Sequence, residues 1–230
     1  IEFLVDKYRH FYFLEMNTRL QVEHPITEEV VGVDLVKEQL RVADGEPLRF
    51  KQEDLSQRGH AIECRICAED TENGFIPCPG IIRQLTEPNG IGVRIDSYVY
   101  EGYEIPLYYD PMIGKLIVWA TSRQFAIERM RRVLYEFKIT GLKTNISYLR
   151  RIMYAPAFVK GEYDTSFLSK YSRSLQRSNG ENEEIENMAM IAAYVDYLFN
   201  LEENSPVRTT DSRPISRWRE FGLQKGVLRI

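Results

Sequence analysis

Residues 1–14 read IEFLVDKYRHFYFL, and this stretch decides how the chain begins to fold. Apolar residues at 1–5 and 11–14 predict two strands, and the polar residues 6–10 between them predict the loop of a β-hairpin. An isolated hairpin is only marginally stable in water, and these strands are apolar on both faces. We therefore expect the hairpin to belong to a larger sheet whose other strands precede residue 1. On this interpretation the chain is the carboxy-terminal part of a longer protein.

A row of polar residues follows the second strand, where residues 15–25 read EMNTRLQVEHP. In an extended chain, alternate side chains lie on the same face. One face is then expected to carry two carboxylates, two amides and a guanidinium: Glu15, Asn17, Arg19, Gln21 and Glu23.

These residue types suggest a specific chemistry. Glu15 and Asn17 offer oxygen ligands suited to Mg²⁺, which prefers carboxylates together with nucleotide phosphates. Arg19 offers a planar, bidentate donor for an oxyanion. Glu23 lies on the same predicted face, where it is placed to take a proton from an acid bound by Arg19. The alternative is a solvated strand face.

Patterns beyond residue 25 predict a mixture of helices and short strands, which is an α+β fold class. Thr27 and Asp34 are N-cap residue types, and residues 35–43 carry apolar residues at helical spacing before Gly45. Ser122 and the pair Thr144–Asn145 are predicted to begin two further helices. Strands are expected at 60–68, 81–85, 91–100 and 113–120. Residues 169–184 are predicted to form a loop, and residues 185–199 an amphipathic helix.

Composition limits the classes of function. Of the 230 residues, 43% are hydrophobic, and 30 lysines and arginines face 34 acidic residues. The chain is therefore expected to be globular, with no basic excess for nucleic acid and no apolar run of membrane-spanning length. Three cysteines favour a reducing, cytoplasmic compartment over a disulfide framework. Cys64-x-x-Cys67 lacks two further ligands at zinc spacing, so two thiols on a strand are the simpler interpretation.

The segment FYFLEMNTRLQVEHP (11–25) closely resembles the signature of biotin carboxylases, the ATP-grasp component of acetyl-CoA, propionyl-CoA and pyruvate carboxylases. The resemblance continues to about residue 168 through ECRICAED (63–70), FIPCPGII (75–82), YYDPMIGKLI (108–117) and GLKTN (141–145). It implies that residues 1–58 end an ATP-grasp domain and that residues 59–168 form the biotin carboxylase C-terminal domain. Residues 169–230 would then be a linker, an amphipathic helix and a tail.

The resemblance also implies roles for residues of the hairpin. Glu2, Glu15 and Asn17 match the ligands of Mg²⁺ or Mn²⁺, although the loop after Glu2 is one residue longer than usual in the family. Leu4 and Leu14 match apolar side chains that flank the adenine of ATP, with a role in the hairpin core as the alternative.

Further roles are implied for the residues that would act on bicarbonate and biotin. Arg19 matches the catalytic arginine, and Glu23 matches the general base. Gln21 and the Val22 backbone match contacts to bicarbonate, and Arg65 matches an arginine that holds bicarbonate and the ureido oxygen of biotin. Asp110 and Lys115 are assigned no catalytic role, as a turn former and a solvated lysine. Cys67 stands where the family pattern has asparagine.

The implied function is carboxylation of carrier-bound biotin with ATP and bicarbonate through carboxyphosphate. No A/V-M-K-M biotinylation motif occurs, so biotin is expected on a separate carrier protein. A second copy of the enzyme and a carboxyltransferase subunit are expected as further partners. The chain has no glycine-rich phosphate loop and is expected to be inactive alone. Two alternatives are a non-catalytic dimerisation or docking module and another ATP-grasp ligase, such as a carbamoyl-phosphate synthetase, which shares E-x-N-x-R but not QVEHP.

Overall fold

A computed structural model describes residues 1–176 and 188–197, and the chain divides into two units at residues 177 and 178. Its helices and strands in the first unit are, in chain order, β1 (Glu2–Val5), β2 (Phe11–Glu15), α1 (His24–Val31), α2 (Leu35–Ala43), β3 (His60–Cys67), β4 (Glu69–Asp70), β5 (Ile76–Pro77), β6 (Gly80–Ile81), β7 (Gln84–Thr86), β8 (Val93–Ser97), β9 (Glu104–Ile105), β10 (Met112–Ala120), α3 (Arg123–Glu136), β11 (Lys138–Thr140), α4 (Ile146–Tyr154), α5 (Pro156–Lys160) and α6 (Phe167–Gln176). The predicted α+β class is confirmed.

The predicted hairpin at the start of the chain is present. β1 and β2 pair antiparallel, with Phe3 opposite Phe13 and Leu4 opposite Tyr12. The Asp6 carboxylate closes the loop by accepting hydrogen bonds from the backbone N–H groups of Tyr8 and His10 at 2.8 and 2.9 Å. The apolar side chains of both strands are exposed, and β1 and β2 form a two-stranded sheet of their own among the described residues.

A three-stranded antiparallel sheet, in the order β3-β10-β8, forms the centre of the first unit. Its strands alternate between an apolar face and a charged face, as period-two side chains must. The apolar face of β3 carries Ile62, Cys64 and Ile66, which are buried in the core. The opposite face of β3 carries Glu63 and Arg65, and Lys115 lies beside Arg65 on β10.

Helix α3 covers the apolar face of this sheet. Ser122 begins the helix as predicted, because its hydroxyl accepts a hydrogen bond from the backbone N–H of Phe125. Met130, Val133 and Leu134 face the sheet and are almost fully buried. The core cluster unites α3 with β3, β10 and α4.

Helix α1 lies against β3 and β10, and its Glu28 forms an ion pair with Arg94 of β8 on the charged face. The prediction that Thr27 caps a helix is wrong: α1 already begins at His24, because Pro25 fills the first turn, where its fixed φ and missing N–H are tolerated. The prediction for Asp34 is confirmed, since its carboxylate accepts a hydrogen bond from Lys37 N–H at 2.8 Å and begins α2.

The predicted loop at 169–184 is wrong for its first part, because residues up to Gln176 belong to α6. Phe167, Tyr171 and Leu175 repeat at a spacing of four and meet Tyr148 of α4 and its neighbours in a small apolar cluster. In the second unit, residues 188–197 are helical, which agrees with the predicted amphipathic helix. The rest of that predicted helix, and residues 198–230, lie outside the described residues. The helices that the structure describes are all too short or too polar to pass through a lipid bilayer.

The free edge of β3 is completed by a side chain. Asn145, which precedes α4, is buried and accepts a hydrogen bond from Cys67 N–H at 3.0 Å through its amide oxygen. Its amide nitrogen donates to the Arg65 carbonyl oxygen at 3.1 Å, and its own backbone N–H donates to the Cys67 carbonyl. Asn145 thereby takes the place of a neighbouring strand and holds the backbone on both sides of Ile66, directly after Arg65.

Replacing Asn145 by alanine is expected to lower the free energy of unfolding by about 1–3 kcal/mol, because two backbone groups of β3 lose their partners. Urea unfolding of this chain measures the loss. Asn89→Ala, at an exposed loop position, is the matched control and is expected to change the value by less than about 0.5 kcal/mol. Equal stability of the two variants would contradict the edge role of Asn145.

Candidate active site

Two carboxylates and two amides gather where the hairpin meets the segment that follows it. Glu2 of β1 lies opposite Glu15 of β2, next to a register shift between Glu2 and Phe3. The Asn17 amide nitrogen donates to Glu2 Oε1 at 2.8 Å and to Glu15 Oε1 at 3.3 Å. The Gln21 amide nitrogen donates to the same Glu2 oxygen at 3.2 Å. The sequence-predicted residues Glu2, Glu15, Asn17 and Gln21 therefore form one hydrogen-bonded cluster, called the carboxylate–amide cluster below.

The composition of the carboxylate–amide cluster suits a cation that takes only some of its ligands from the protein. It holds two carboxylates, and the described part of the chain contains no group of three His, Cys, Asp or Glu side chains that could hold a metal ion. Mg²⁺ is usually bound by one or two carboxylates together with substrate phosphates. Glu2 and Glu15 fit that requirement, and rotation of the Asn17 amide would present its oxygen in place of its nitrogen.

The chain does not stay extended from Glu15 to Glu23, so the prediction of one continuous row is wrong. β2 ends at Glu15, residues 16–21 are irregular, and residues 22 and 23 form a turn before α1. The turn arises because the buried Pro25 starts a helix directly afterwards. Arg19 projects from the irregular segment as an exposed side chain and donates to the Leu20 carbonyl oxygen at 3.2 Å.

Because of this turn, Glu23 meets Arg65 of β3. The Arg65 guanidinium donates to Glu23 Oε2 at 2.9 Å across 42 residues of sequence. Both side chains remain half exposed, at 51% for Arg65 and 52% for Glu23. The structure thus brings together the carboxylate and the arginine that the sequence assigned to proton transfer and anion binding.

Glu63 lies beside this pair and was not identified from the sequence. Its side chain is 6% exposed, its Oε1 is 4.0 Å from Arg65 Nε, and its buried Oε2 has no hydrogen-bond partner among the described residues. Burial raises the pKa of the Glu63 carboxyl, the positive charges of Lys115 and Arg65 lower it, and the negative charge of Glu23 raises it further. The balance leaves the pKa above its ordinary value.

Lys115 also lies in this region, and the prediction of a solvated lysine is wrong. Its side chain is 12% exposed, and its Nζ donates to the Val22 carbonyl oxygen at 3.2 Å. The same Nζ is 3.2 Å from Asp96 Oδ2 on β8. The signal in the sequence is its place in the apolar strand MIGKLIVWA, where lysine is rarely found without a partner.

A cavity of about 610 Å³ opens along β3 beside the Glu23–Arg65 pair. Glu23, Glu63 and Arg65 belong to its polar lining, and Ile152 and Phe158 belong to its apolar lining. Leu4 and Leu14 lie elsewhere, on the hairpin, where their side chains are 56% and 52% exposed. They therefore do not form a buried hairpin core among the described residues.

Two family models match the chain. The biotin carboxylase C-terminal domain matches residues 63–170, and the ATP-binding domain of the carbamoyl-phosphate synthase L chain matches residues 1–51. Among curated relatives, a biotin carboxylase from Nostoc sp. is 56% identical over 75% of this chain. A chloroplastic biotin carboxylase from Arabidopsis thaliana is 53% identical over 76% of it. The chain spans 39% and 33% of the lengths of these two relatives.

Solved structures agree with these relatives. The biotin carboxylase domain dimer of 2-oxoglutarate carboxylase from Hydrogenobacter thermophilus, in complex with MgADP, ADP and bicarbonate, is 45% identical with a TM-score of 0.75. The match covers 77% of this chain and 39% of that one. The β-γ-ATP complex of biotin carboxylase from Campylobacter jejuni is 47% identical with a TM-score of 0.70, and the match covers 73% of this chain and 37% of that one.

The Glu63→Gln variant is expected to gain stability relative to the unsubstituted chain as the pH rises above the ordinary pKa of a glutamate carboxyl. Because burial raises the folded-state pKa of Glu63, the folded protein binds this proton more tightly than the unfolded protein does. Stability is then lost as the pH rises from the unfolded pKa through the raised folded one, and the glutamine does not share that loss. Urea unfolding at several pH values measures the difference.

Glu53→Gln is the matched control, because the Glu53 side chain is 71% exposed. A substitution at such an exposed position is expected to change the free energy of unfolding by less than about 0.5 kcal/mol. If the Glu63→Gln difference instead moved toward lower stability with rising pH, the charged form of Glu63 would be the stabilising one.

Proposed function

We propose, from the premise that this chain belongs to the biotin carboxylase family as its carboxy-terminal part, that it supplies half of the active site of an ATP-dependent biotin carboxylase. One observation carries the proposal. Residues 15–23 join the carboxylate–amide cluster at one end to the Glu23–Arg65 pair at the other, with Arg19 exposed between them. A phosphate-binding metal site and an acid–base site therefore share one short segment.

In the proposed enzyme, Glu2, Glu15 and Asn17 hold Mg²⁺ or Mn²⁺. The bound cation neutralises charge on the phosphates of ATP, which lowers the barrier to attack at the γ-phosphorus. The cation and nucleotide fit two carboxylates that already lie together at the end of the hairpin. MgADP in the Hydrogenobacter thermophilus neighbour supports this assignment. Leu4 and Leu14, on the exposed surface of the hairpin, are proposed to contact the adenine.

Bicarbonate is proposed to bind between Arg19, Gln21 and the Val22 backbone. The guanidinium of Arg19 is exposed and can pair with a planar anion through two parallel hydrogen bonds. Glu23 removes the bicarbonate proton, and the resulting oxyanion attacks the γ-phosphorus of ATP to give carboxyphosphate and ADP. The bicarbonate in the Hydrogenobacter thermophilus complex supports this choice of anion.

Arg65 is proposed to act on biotin in the second half of the reaction. Carboxyphosphate breaks down to CO₂ and phosphate, and the phosphate takes the N1′ proton of biotin. Negative charge then develops on the ureido oxygen, where Arg65 and Arg19 stabilise it before N1′ attacks CO₂. Arg65 is already turned toward Glu23, so both steps take place within reach of the same guanidinium.

The remaining parts of the enzyme are proposed to come from outside this chain. They are an upstream glycine-rich phosphate loop with ATP-binding lysines, a carboxyltransferase subunit, and the biotin carboxyl carrier protein. A second copy of the enzyme is proposed as well, in line with the dimer of the Hydrogenobacter thermophilus domain. We also propose a boundary near residue 58 between the ATP-binding end and the C-terminal domain. The three free cysteines fit the reducing cytoplasm as its location.

In the full-length enzyme, Glu23→Gln is expected to lower the turnover number of biotin carboxylation by about 10²- to 10⁴-fold, because it removes the general base. Arg19→Met is expected to lower it to a similar degree. Bicarbonate-dependent ATP hydrolysis with free biotin measures both. Arg49→Met is the control, because Arg49 is half exposed and pairs with Glu46 outside the site. The isolated chain is expected to hydrolyse no ATP, and full activity of Glu23→Gln would contradict the proposal.

Glu15→Gln is expected to raise the Mg²⁺ concentration needed for half-maximal activity of the full-length enzyme by about 10-fold or more. Loss of a residue that merely supports a metal ligand already costs about 10- to 100-fold in affinity, and Glu15 is proposed as a ligand. A Mg²⁺ titration at saturating ATP measures the change, with Glu53→Gln as the exposed control. An unchanged Mg²⁺ dependence would remove Glu15 from the metal site.

A further inference from the structure

We propose that Lys115 is a positioning residue of this active site: its ammonium group fixes the peptide that joins Val22 to Glu23 and thereby sets the direction of the Glu23 carboxylate. The inference rests on the proposed function. Lys115 lies on β10, 93 residues after the turn that it contacts, so it is supplied by the C-terminal domain to the segment that carries the acid–base residue.

The ammonium group of Lys115 is held in place by two partners. Its Nζ makes a 3.2 Å hydrogen bond to the Val22 carbonyl and a 3.2 Å ion pair with Asp96, and its side chain is 12% exposed. A lysine in a central strand of a sheet that is covered on both faces must have such partners, because an unpaired buried charge is costly. Because the Val22 carbonyl accepts this bond, the peptide plane before Glu23 has a fixed orientation.

The partner of Lys115 is itself held in place. Asp96 accepts two hydrogen bonds from the Arg94 guanidinium, at 2.7 and 2.9 Å, and Arg94 Nη1 donates to Glu28 Oε2 of α1 at 2.7 Å. Burial raises the pKa of Asp96, but the hydrogen bonds from Arg94 and Lys115 outweigh it and keep the pKa below its ordinary value. Asp96 therefore stays charged, and it anchors Lys115 under the turn while Arg94 anchors the helix that follows.

Lys115 also balances the charge beneath the site. Its positive charge lowers the pKa of Glu63, whose carboxylate is buried and has one oxygen without a donor among the described residues. Glu23 raises that pKa, so Glu63 and Glu23 repel each other when both are ionised. A cation at position 115, on the strand next to Arg65, reduces this repulsion.

Lys115 is expected to affect the position of the Glu23 carboxylate rather than the binding of ATP. The carboxylate–amide cluster is held by its own hydrogen bonds among Glu2, Glu15, Asn17 and Gln21, with no contact to Lys115 among the interactions described above. Substitution of Lys115 is therefore expected to leave the binding of the metal and the nucleotide unchanged. A shift of about 1 Å in a reacting group can cost about 10²-fold in rate, which sets the size of the effect expected at Glu23.

Steady-state kinetics of the full-length enzyme test the role. The variants are Lys115→Met, which keeps the length without the charge, Lys115→Arg, which keeps the charge and a donor, and Lys37→Met, which removes an exposed lysine of α2. Lys115→Met is expected to lose about 10- to 100-fold in kcat/KM for bicarbonate while the KM for MgATP stays unchanged. Lys115→Arg is expected to recover most of that loss, and Lys37→Met to behave as the unsubstituted enzyme.

Each result separates this inference from the function on which it rests. If the unsubstituted full-length enzyme shows no bicarbonate-dependent carboxylation of biotin, the proposed function fails. If that enzyme is active and Lys115→Met equals Lys37→Met, or if Lys115→Met raises the KM for MgATP as much as that for bicarbonate, the positioning role is overturned. Should Lys115→Met not fold, Lys115→Gln decides, with the same loss expected and equality with the unsubstituted enzyme overturning the proposal.

Discussion

The charged face of the three-stranded sheet is the constraint on which the candidate site depends. Arg65, Lys115 and Asp96 occupy neighbouring positions on β3, β10 and β8, because the antiparallel register places them side by side. Apolar side chains on this face could not hydrogen-bond to the turn before α1, which offers a carbonyl and a carboxylate as partners. The sheet therefore does more than support a core on its other face. Its hydrogen bonds from Lys115 to Val22 and from Arg65 to Glu23 also fix a segment that has no regular secondary structure of its own.

Local signals in the sequence predicted the local structure well. The hairpin follows from two apolar runs around a polar loop, α2 from the Asp34 cap, and α3 from Ser122 with apolar residues at helical spacing. The errors also have local causes. Pro25 started α1 before the expected cap at Thr27, and polar residues around Phe167 concealed the start of α6. In both cases the overlooked feature was a short-range one that the sequence contained.

The candidate site was only partly predictable from the sequence. The residues that were missed depend on long-range contacts rather than on local sequence. Glu15 and Asn17 were identified because they are close in sequence and suit one cation. Glu63 and Lys115 were missed, because their significance comes from burial and from contacts that span more than 40 residues. A charged residue within an apolar strand is a usable signal for such positions, since burial without partners would be costly. Without the register of the sheet, however, that signal does not reveal which partner the charge has.

The Glu23–Arg65 and Lys115–Asp96 pairs differ in burial. This difference separates the exchangeable contacts of the site from the fixed ones. The Glu23–Arg65 pair is half exposed, and exposed pairs contribute only about 0–1 kcal/mol to stability, so separating the two side chains costs little. Separation is what the proposed reaction requires, because Glu23 must turn to bicarbonate and Arg65 to a developing oxyanion. Lys115 is far more buried, and breaking a buried pair leaves an uncompensated charge. The same face of the sheet can thus hold the backbone of the turn rigid while Glu23 and Arg65, the two side chains proposed to react, stay free to exchange partners.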